Sequence, residues 1–288
     1  MPELPEVETI RRELNKKIKG KTIKKVKVLV PKMVNVPVLE FEKKVVGTRI
    51  KNIDRRAKVL ILDLYGPYFL LFHLKMTGQL IFQSAKGKTI SGGHPIKDSG
   101  SLPNAFTRVV FNFADGSKLF FNDIRKFGWV KLVEDSIYLL IRNEFGLEPL
   151  SDDFTFERFK AALHHFPQRK IKQILTDQAL IAGIGNIYAD ESCFCASISP
   201  LRPSKSLKEA EMKKLHSCIP NVLEFAISKK GSSADDYVRT DGSKGGMVPY
   251  LNVYGREGEK CRRQGCLGIV KKIKLNGRGT HFCSVCQK

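Results

Sequence analysis

The spacing of apolar residues is helical at the start of the chain, alternating in the middle and helical again in the second half. Over residues 5–19, apolar side chains recur every three or four positions and Gly20 follows, which predicts an amphipathic helix. Residues 22–133 contain several short β-like runs, separated by turn sequences such as Gly66-Pro67 and Asp115-Gly116. We therefore expect an antiparallel sandwich or barrel after the first helix.

Helical spacing in the second half predicts an α+β protein with a boundary near residues 134–150. Residues 84–103 and 231–248 are rich in glycine, serine and lysine, which predicts two long surface loops. The predicted helices cover residues 154–166, 171–177, 187–196 and 207–228. The expected domains are residues 1–134, 135–230, a flexible loop of 231–250 and a tail of 251–288.

The charge balance indicates a polyanionic partner. The 288 residues include 50 Lys and Arg against 29 Asp and Glu, which gives a formal charge of +21. This excess is far more than solubility requires, so nucleic acid is the first expectation. A basic membrane-surface protein is the alternative, but we find no run of 18 apolar residues, no signal peptide and no lipidation motif. A cytoplasmic protein without a membrane partner is expected.

Removal of Met1 would turn the next residue into a nucleophile. Pro2 allows a methionine aminopeptidase to remove Met1, and the freed nitrogen would be both an α-amino group and a secondary amine. Such a group has a pKa of about 7.7–8.0, so part of it is neutral near pH 7 and can attack a sugar aldehyde to give an iminium ion. Glu3 and Glu6 would move the protons involved. The alternative is an ordinary frayed terminus in which Pro5 begins a helix.

The end of the chain has the spacing of a structural zinc site. Two cysteine pairs flank a β-hairpin predicted over residues 270–275 and 280–282, and they are Cys261, Cys266, Cys283 and Cys286. Four thiolates leave no open coordination position, so Zn²⁺ would fold the tail and perform no chemistry. Four unrelated free cysteines are the alternative. This use of cysteine suits a reducing compartment, and Cys193, Cys195 and Cys218 are expected to be buried packing residues on helices.

Several motifs occur together in one order along the chain. They are Pro2-Glu3-Leu4-Pro5-Glu6-Val7, Arg55-Arg56-Ala57-Lys58, His73-Leu74-Lys75-Met76-Thr77-Gly78, Asp123-Ile124-Arg125-Lys126-Phe127-Gly128, Gly146-Leu147-Glu148-Pro149-Leu150, Gly183-Ile184-Gly185-Asn186-Ile187-Tyr188-Ala189, Val253-Tyr254-Gly255-Arg256 and the four-cysteine tail. From residue 2 to residue 288 the chain resembles the formamidopyrimidine-DNA glycosylase family, which also contains endonuclease VIII. The resemblance implies a helix and β-sandwich, then a helix–two-turn–helix DNA-binding domain, a loop that covers the flipped purine and a zinc-finger hairpin.

The resemblance also implies a bifunctional enzyme that excises oxidised purines, such as 8-oxoguanine and formamidopyrimidines, and then cleaves the strand by β,δ-elimination. Pro2 would be the nucleophile that holds the sugar as an iminium ion. Glu3 would donate and shuttle protons, and Lys58 would place a cation near the damaged nucleotide. A base inside the duplex must be flipped out before it can be excised.

The same resemblance assigns DNA contacts. Met76, Arg125 and Phe127 would fill the void left by the flipped base, with the arginine hydrogen-bonded to the orphaned cytosine. From their residue types alone, Met76 and Phe127 would be core residues and Arg125 a surface charge. Phosphate contacts are implied for a further set, namely His73, Lys172, Asn186, Tyr254 and Arg278.

The chain departs from the family pattern in three places, and none of them involves Pro2, Glu3 or Lys58. The departures are the spacing from Cys261 to Cys266, Lys126 in place of a common second arginine, and the expanded loop of residues 84–103. The position of Arg125 two residues before Phe127 favours the oxidised-purine branch.

Two alternatives remain for the function. One is a glycosylase of the same fold that prefers oxidised pyrimidines, and the other is a non-catalytic zinc protein that senses DNA damage. The expected protein is a bacterial, nucleoid-associated monomer that binds double-stranded DNA with oxidised bases or abasic sites.

Overall fold

The computed structural model describes residues 1–87, 101–232 and 246–288, together with the backbone of residues 89–93. The chain divides into two compact units. The first consists of Met1–Asn143 with Lys229–Gly246, and the second of Glu144–Ser228 with Met247–Lys288. Residues 135–143, which the expected domain bounds assign to the following domain, belong to the first unit.

The first unit begins with a helix and continues as two antiparallel sheets. Its elements are α1 (Leu4–Ile18), β1 (Ile23–Val28), α2 (Val38–Val45), β2 (Ile50–Arg56), β3 (Val59–Leu64), β4 (Tyr68–His73), β5 (Gly78–Gln83), β6 (Thr89–Gly93), β7 (Thr107–Phe113), β8 (Lys118–Asp123), β9 (Trp129–Glu134) and α3 (Asp135–Asn143). The strand orders are β1-β7-β8-β5-β6 and β2-β3-β4-β9. The expected antiparallel sandwich after a first helix is confirmed.

One hydrophobic cluster joins α1 to both sheets. Leu14 from α1, Phe72 from β4 and Phe111 from β7 belong to it and are fully buried. The period of three to four residues in α1 and the alternation in the strands direct their apolar side chains to this common core. The core fixes the ends of the strands, which carry the predicted functional loops.

The predicted loop of residues 84–103 is wrong in part. Thr89–Gly93 forms β6, which pairs with β5 in the register Gln83↔Thr89 to Gln79↔Gly93 and lies at the edge of its sheet. This edge strand is rich in glycine and serine and lacks apolar alternation, so its sequence does not resemble a strand. It forms because its backbone pairs with β5. Residues 88 and 94–100 of this predicted loop lie outside the described residues.

The second unit is helical and ends in a β-hairpin. Its elements are α4 (Phe156–His165), α5 (Ile171–Leu175), α6 (Asn186–Ala196), α7 (Glu209–Ser228), β10 (Val270–Leu275) and β11 (Arg278–Cys283). Asn276 and Gly277 connect the two strands, and both have positive φ angles (48° and 78°), as a two-residue hairpin turn requires. The expected helices and terminal hairpin are therefore present. No helix in the described part of the chain is long and apolar enough to cross a bilayer.

Cys195 of α6 and Cys218 of α7 form a disulfide, with their Cα atoms 5.9 Å apart. Both lie on helices, as expected, but they are bonded to each other and Cys195 is only partly buried, so the expectation of two buried packing residues is wrong in part. Sequence patterns did not show that two cysteines 23 residues apart, on different helices, would lie face to face. Cys193 is buried and free, as expected.

Candidate active site and nucleic-acid interface

The N-terminal residues are fixed in place and are not a frayed end. Pro2 is buried, and only 3% of Glu3 is exposed. The Glu3 N–H donates to Glu6 Oε2 at 2.8 Å, and the Thr9 hydroxyl donates to the carbonyl of Pro5 at 2.8 Å. Pro at the first turn suits the helix because its missing N–H would have had no intrahelical acceptor. Pro2 therefore precedes a rigid, well-capped helix.

Glu8 connects this helix to the turn that carries Lys58. Arg55 Nε lies 3.2 Å from Glu8 Oε2, and Arg55 Nη1 donates to the carbonyl of Ala57 at 2.8 Å. Lys58 follows Ala57 in the turn between β2 and β3 and is buried. Burial alone would raise the pKa of Glu8, but hydrogen bonds from Arg11 and Arg12 and the charges of Arg11 and Arg55 outweigh it and lower that pKa to about 2.

Glu6 connects the same helix to the ends of the predicted loop of residues 231–248. The N–H of Ser232 donates to Glu6 Oε1 at 2.7 Å, and Ser232 pairs with Gly246 in an antiparallel bridge. The intervening residues 233–245 lie outside the described residues. The ends of the loop are thus attached to the N-terminal helix within the first unit.

His73 is a neutral hydrogen-bonding group. Burial, together with the charges of Lys75 and Lys58, lowers the pKa of His73 to about 3. Its Nδ1 accepts the N–H of Lys75 at 3.0 Å, so the neutral ring carries its proton on Nε2. His73 can therefore donate one hydrogen bond to an anion without being charged.

Met76, Arg125 and Phe127 lie at the surface of the first unit. Met76 is 43% exposed and Phe127 is 53% exposed, so neither is the core residue that its type alone would favour. The guanidinium of Arg125 lies over the Phe127 ring, 4.6 Å from its centroid. An exposed apolar pair beside an exposed arginine has the chemistry of a wedge that enters a base stack.

Three predicted phosphate-binding residues surround Gly279 in the second unit. Lys172 Nζ and Asn186 Nδ2 both donate to the Gly279 carbonyl, at 2.8 and 3.0 Å, and the exposed Arg278 directly precedes it. Lys172 is 3% exposed and its Nζ lies 2.7 Å from Asp190 Oδ1. Two of the three ammonium donors of Lys172 are therefore directed at protein acceptors.

A cavity of about 270 Å³ opens beside this group. Three of its lining residues are basic, namely Arg169, Lys172 and Arg278, and Asp177 is acidic. Arg169 Nη1 is 3.0 Å from Asp177 Oδ2. The excess of basic over acidic side chains in the lining suits an anion such as a phosphate group.

Tyr254 contacts the same network through His281. The two rings meet edge to face, with centroids 4.9 Å apart, and the N–H of His281 donates to Asp190 Oδ2 at 2.8 Å. The N–H of Tyr254 donates to Glu191 at 3.0 Å. Asp190 and Glu191 thus hold Lys172, His281 and Tyr254 in place.

The four tail cysteines converge on one metal site. Their Sγ atoms all lie within 4.8 Å of one another, which fits a single tetrahedral Zn²⁺ with four thiolates. The N–H groups of Arg263 and Gly268 point at Cys261 Sγ and Cys266 Sγ, each at 3.4 Å, as expected around metal-bound sulfur. The longer spacing between Cys261 and Cys266 is therefore compatible with the site.

The predicted residues fall into two groups. The first unit contains Pro2, Glu3, Lys58, His73, Met76, Arg125 and Phe127, and the second contains Lys172, Asn186, Tyr254, Arg278 and the four cysteines. Four buried carboxylates hold these residues and were given no role from the sequence, namely Glu8, Asp123, Asp190 and Glu191. Some of their partners are distant in sequence, such as Arg55 for Glu8 and Thr77 for Asp123, so local spacing does not indicate these links.

Family models match three parts of the chain. Residues 1–130 match the formamidopyrimidine-DNA glycosylase N-terminal domain, residues 145–237 match the H2TH domain of the same enzyme, and residues 258–288 match a zinc finger found in FPG and IleRS. The matched segments together cover most of the chain.

Individual relatives match over the full length. The formamidopyrimidine-DNA glycosylases of Carboxydothermus hydrogenoformans and Heliobacterium modesticaldum are each 42% identical, with complete coverage of both chains. A complex of a Lactococcus lactis FPG mutant with Fapy-dG containing DNA has a TM-score of 0.87 at 36% identity and covers 100% of each chain. A complex of the Lactococcus lactis enzyme with abasic-site DNA has the same TM-score and identity and covers 99% of each chain.

Proposed function

Because this chain belongs to the formamidopyrimidine-DNA glycosylase family, we propose that it removes 8-oxoguanine and formamidopyrimidines from double-stranded DNA and then cleaves the abasic strand by β,δ-elimination. The chain is a DNA-repair glycosylase and AP lyase with a DNA-binding H2TH domain and a zinc finger. The proposed lesion class is supported by the full-length similarity to a complex with Fapy-dG containing DNA. Such a substrate would place the enzyme at the bacterial nucleoid.

Pro2 supplies the nucleophile once Met1 has been removed. Its nitrogen attacks C1′ of the damaged nucleotide, the bond from C1′ to the base breaks, and the base leaves with a proton. When the sugar ring opens and the nitrogen loses its own proton, a Schiff base joins Pro2 to C1′. The buried carboxyl group of Glu3 donates the proton that O4′ takes up at ring opening.

The Schiff base makes strand cleavage easier because a positive nitrogen at C1′ acidifies the C2′ protons. Loss of a C2′ proton expels the 3′ phosphate, and a second elimination expels the 5′ phosphate. Lys58 places its ammonium group near the departing phosphate and stabilises the negative charge that develops there. The Glu8–Arg55–Ala57 contacts support this role because they hold the turn of Lys58 against α1.

The remaining residues bind the DNA. Met76 and Phe127 enter the stack after the damaged base has turned out, and their exposed apolar side chains offset the lost stacking. Arg125 donates hydrogen bonds to the orphaned cytosine. Phosphate groups contact His73 in the first unit. In the second unit they contact Lys172 and Arg278, which line the cavity, and also Asn186 and Tyr254.

Borohydride trapping on an 8-oxoguanine·cytosine duplex, followed by mass mapping of the linked peptide, tests the covalent step. We expect the link on residue 2 of a chain that lacks Met1, and Pro2→Gly should reduce trapping strongly. Pro5→Ala is the matched control, because Pro5 is also buried but lies inside α1, where alanine is tolerated. Unchanged trapping by Pro2→Gly, or a link mapped to a lysine, would remove proline from this role.

One observation favours oxidised pyrimidines as a second substrate class. A complex of the Lactococcus lactis FPG with oxidized pyrimidine containing DNA has a TM-score of 0.86 at 36% identity. Comparing the excision rates of 8-oxoguanine opposite cytosine and of thymine glycol separates the two specificities. A damage sensor without catalysis would bind abasic DNA and give no trapped complex with either lesion.

A further inference from the structure

Asp123 is a buried carboxylate that contacts both loops of the proposed wedge. It is the last residue of β8 and is completely buried. Its Oδ1 accepts the hydroxyl of Thr77, which follows Met76, and the N–H of Arg125 at 3.2 Å. Its Oδ2 accepts the N–H of Gly128, which follows Phe127, at 2.7 Å. Both carboxylate oxygens therefore bind residues that lie beside, or within, the wedge.

The backbone of Asp123 is itself held in the sheet. Asp123 pairs with Gly78 across β5 and β8, and its N–H donates to the carbonyl of Phe106 at 2.9 Å. Arg108 is 5% exposed, and its Nε donates to the Asp123 carbonyl at 2.8 Å. The carboxylate thus projects from a rigid strand end toward two adjacent loops.

Each of these loops has a backbone shape that needs external support. Lys75 in the first loop and Lys126 in the second have positive φ angles, 51° and 56°, which L-residues with long side chains rarely adopt. Such a conformation persists only where the surrounding contacts stabilise it. In each loop, the contact to Asp123 lies within two residues of that lysine.

The second loop also approaches its surroundings closely. A Cβ atom at Gly128 would lie 2.8 Å from the ring of Phe121 and 2.9 Å from the carbonyl of His73. The backbone at Gly128 is therefore pressed against the protein where it donates to Asp123. The loop therefore has little conformational freedom at Gly128.

We propose that Asp123 is a positioning residue that holds Met76, Arg125 and Phe127 in the arrangement required to enter the DNA stack. The inference rests on the proposed function, since it concerns the wedge of that reaction. Loops that are already in the inserted shape lose less conformational freedom when they replace a flipped base. Asp123 does not touch the reacting atoms, and its effect should be confined to steps that require base flipping.

The test compares two DNA substrates under single-turnover conditions. One has 8-oxoguanine paired with cytosine in a full duplex, and the other has mismatched pairs on both sides of the lesion, which lower the cost of turning the base out. Asp123→Asn replaces one acceptor oxygen by a donor that opposes a backbone N–H. We expect it to slow excision about ten- to a hundredfold on the full duplex and less than about threefold on the mismatched substrate.

Variants of Thr77 test the same proposal in the same assay. Thr77→Val removes the hydroxyl and should give a smaller loss with the same preference for the mismatched substrate, whereas Thr77→Ser keeps the hydroxyl and should restore the rate. Asp115→Asn is the matched control, because Asp115 accepts the N–H of Ser117 in an exposed turn of the same sheet and contacts neither wedge loop. It should leave both rates unchanged.

A 2-aminopurine placed next to the lesion adds a spectroscopic measurement. Insertion of the wedge should raise its fluorescence in the wild type, and Asp123→Asn should reduce or delay that rise. If Asp123→Asn slows excision equally on the two substrates, or does not slow it on the full duplex, the proposed role of Asp123 is wrong. If Asp123→Asn does not fold, Thr77→Val decides the question. A wild-type protein that excises 8-oxoguanine from neither substrate would instead refute the proposed function.

Discussion

Buried carboxylates connect the predicted functional side chains to the scaffold. Glu191 is 2% exposed and accepts the N–H groups of Asn252, Val253 and Tyr254 at 2.9–3.0 Å. Asp190 is fully buried and binds Lys172 in the same helical unit. In a chain with a formal charge of +21, removing such a carboxylate leaves a buried cation or buried N–H groups without their acceptor. These acids therefore affect stability more than surface charges do.

Glu8 gives the clearest pH dependence. Its pKa is about 2 in the folded protein, against about 4.5 for an unperturbed glutamate, so its contribution to stability is fully present above about pH 4.5 and is lost as the pH falls toward 2. We expect Glu8→Gln to lower the free energy of unfolding by about 3 kcal/mol near pH 7, with the difference shrinking over that acid range.

Urea unfolding of the two proteins from about pH 7 to about pH 2.5 measures this effect. Glu40→Gln is the control, because Glu40 forms an exposed pair with Lys44 in α2 and should contribute less than about 1 kcal/mol. Equal stability of wild type and Glu8→Gln near neutral pH would contradict the assigned ion pairs.

Single residues differ in how far the sequence could predict them. Pro2 and the four cysteines follow from chemistry and spacing, but the wedge residues required the family resemblance. Apolar type alone favours the core for Phe127, and the structure shows it exposed. The link from Glu8 to Arg55 could not be predicted because the two residues are 47 apart along the chain, and the pairing depends on how α1 packs on β2.

At the level of elements, the terminal hairpin depends on its metal. Cys283 ends β11 and Cys286 follows three residues later, so the ligands at this end of the hairpin are close in sequence. A Cβ atom at Gly268 would lie 2.5 Å from Cys283 Sγ, which shows how tightly the two cysteine turns pack. Apart from Cys283, the buried apolar side chains of the hairpin's two strands are Val270 and Phe282, so we expect metal ligation to supply much of its folding energy.

Cys283→Ser should therefore lower zinc content and DNA affinity together. The expected loss is most of the bound zinc, measured by metal analysis, and at least about a tenfold weaker affinity for abasic duplex, because Arg278 lies on the hairpin. Val285→Ala is the control, since Val285 lies between two ligands and is half exposed. Full DNA affinity in a zinc-free variant would show that the metal does not shape this surface.

The elements that sequence analysis missed are short or marginal. α2 has eight residues, of which only Phe41 and Val45 are buried, so its helical period spans barely two turns. β6 is an edge strand of five residues with two glycines. Long elements such as α1 and α7 were predictable because several turns repeat one apolar face, and tertiary pairing decides the short ones.

At the scale of the whole molecule, the order of elements was predictable, whereas their pairing was not. Alternation identified β4 and β9 as strands, but not that they are neighbours with His73 opposite Trp129. Local pattern cannot determine such long-range pairings, and the Cys195–Cys218 disulfide was missed for the same reason. The resemblance to a family supplied the missing long-range information.

The large positive charge should make DNA binding strongly dependent on salt. Each phosphate that a cation neutralises contributes about −0.9 to the slope of log K against log salt, so a footprint of several phosphates gives a steep slope. Arg278 is exposed beside the cavity of the second unit, and we expect Arg278→Ala to weaken binding to damaged and undamaged duplex alike and to make the slope shallower by about 1. Lys213→Ala is the control, because Lys213 pairs with Glu209 on an exposed face of α7 and should leave the slope unchanged. Fluorescence anisotropy at several salt concentrations measures both slopes, and an unchanged slope for Arg278→Ala would exclude it from the phosphate contacts.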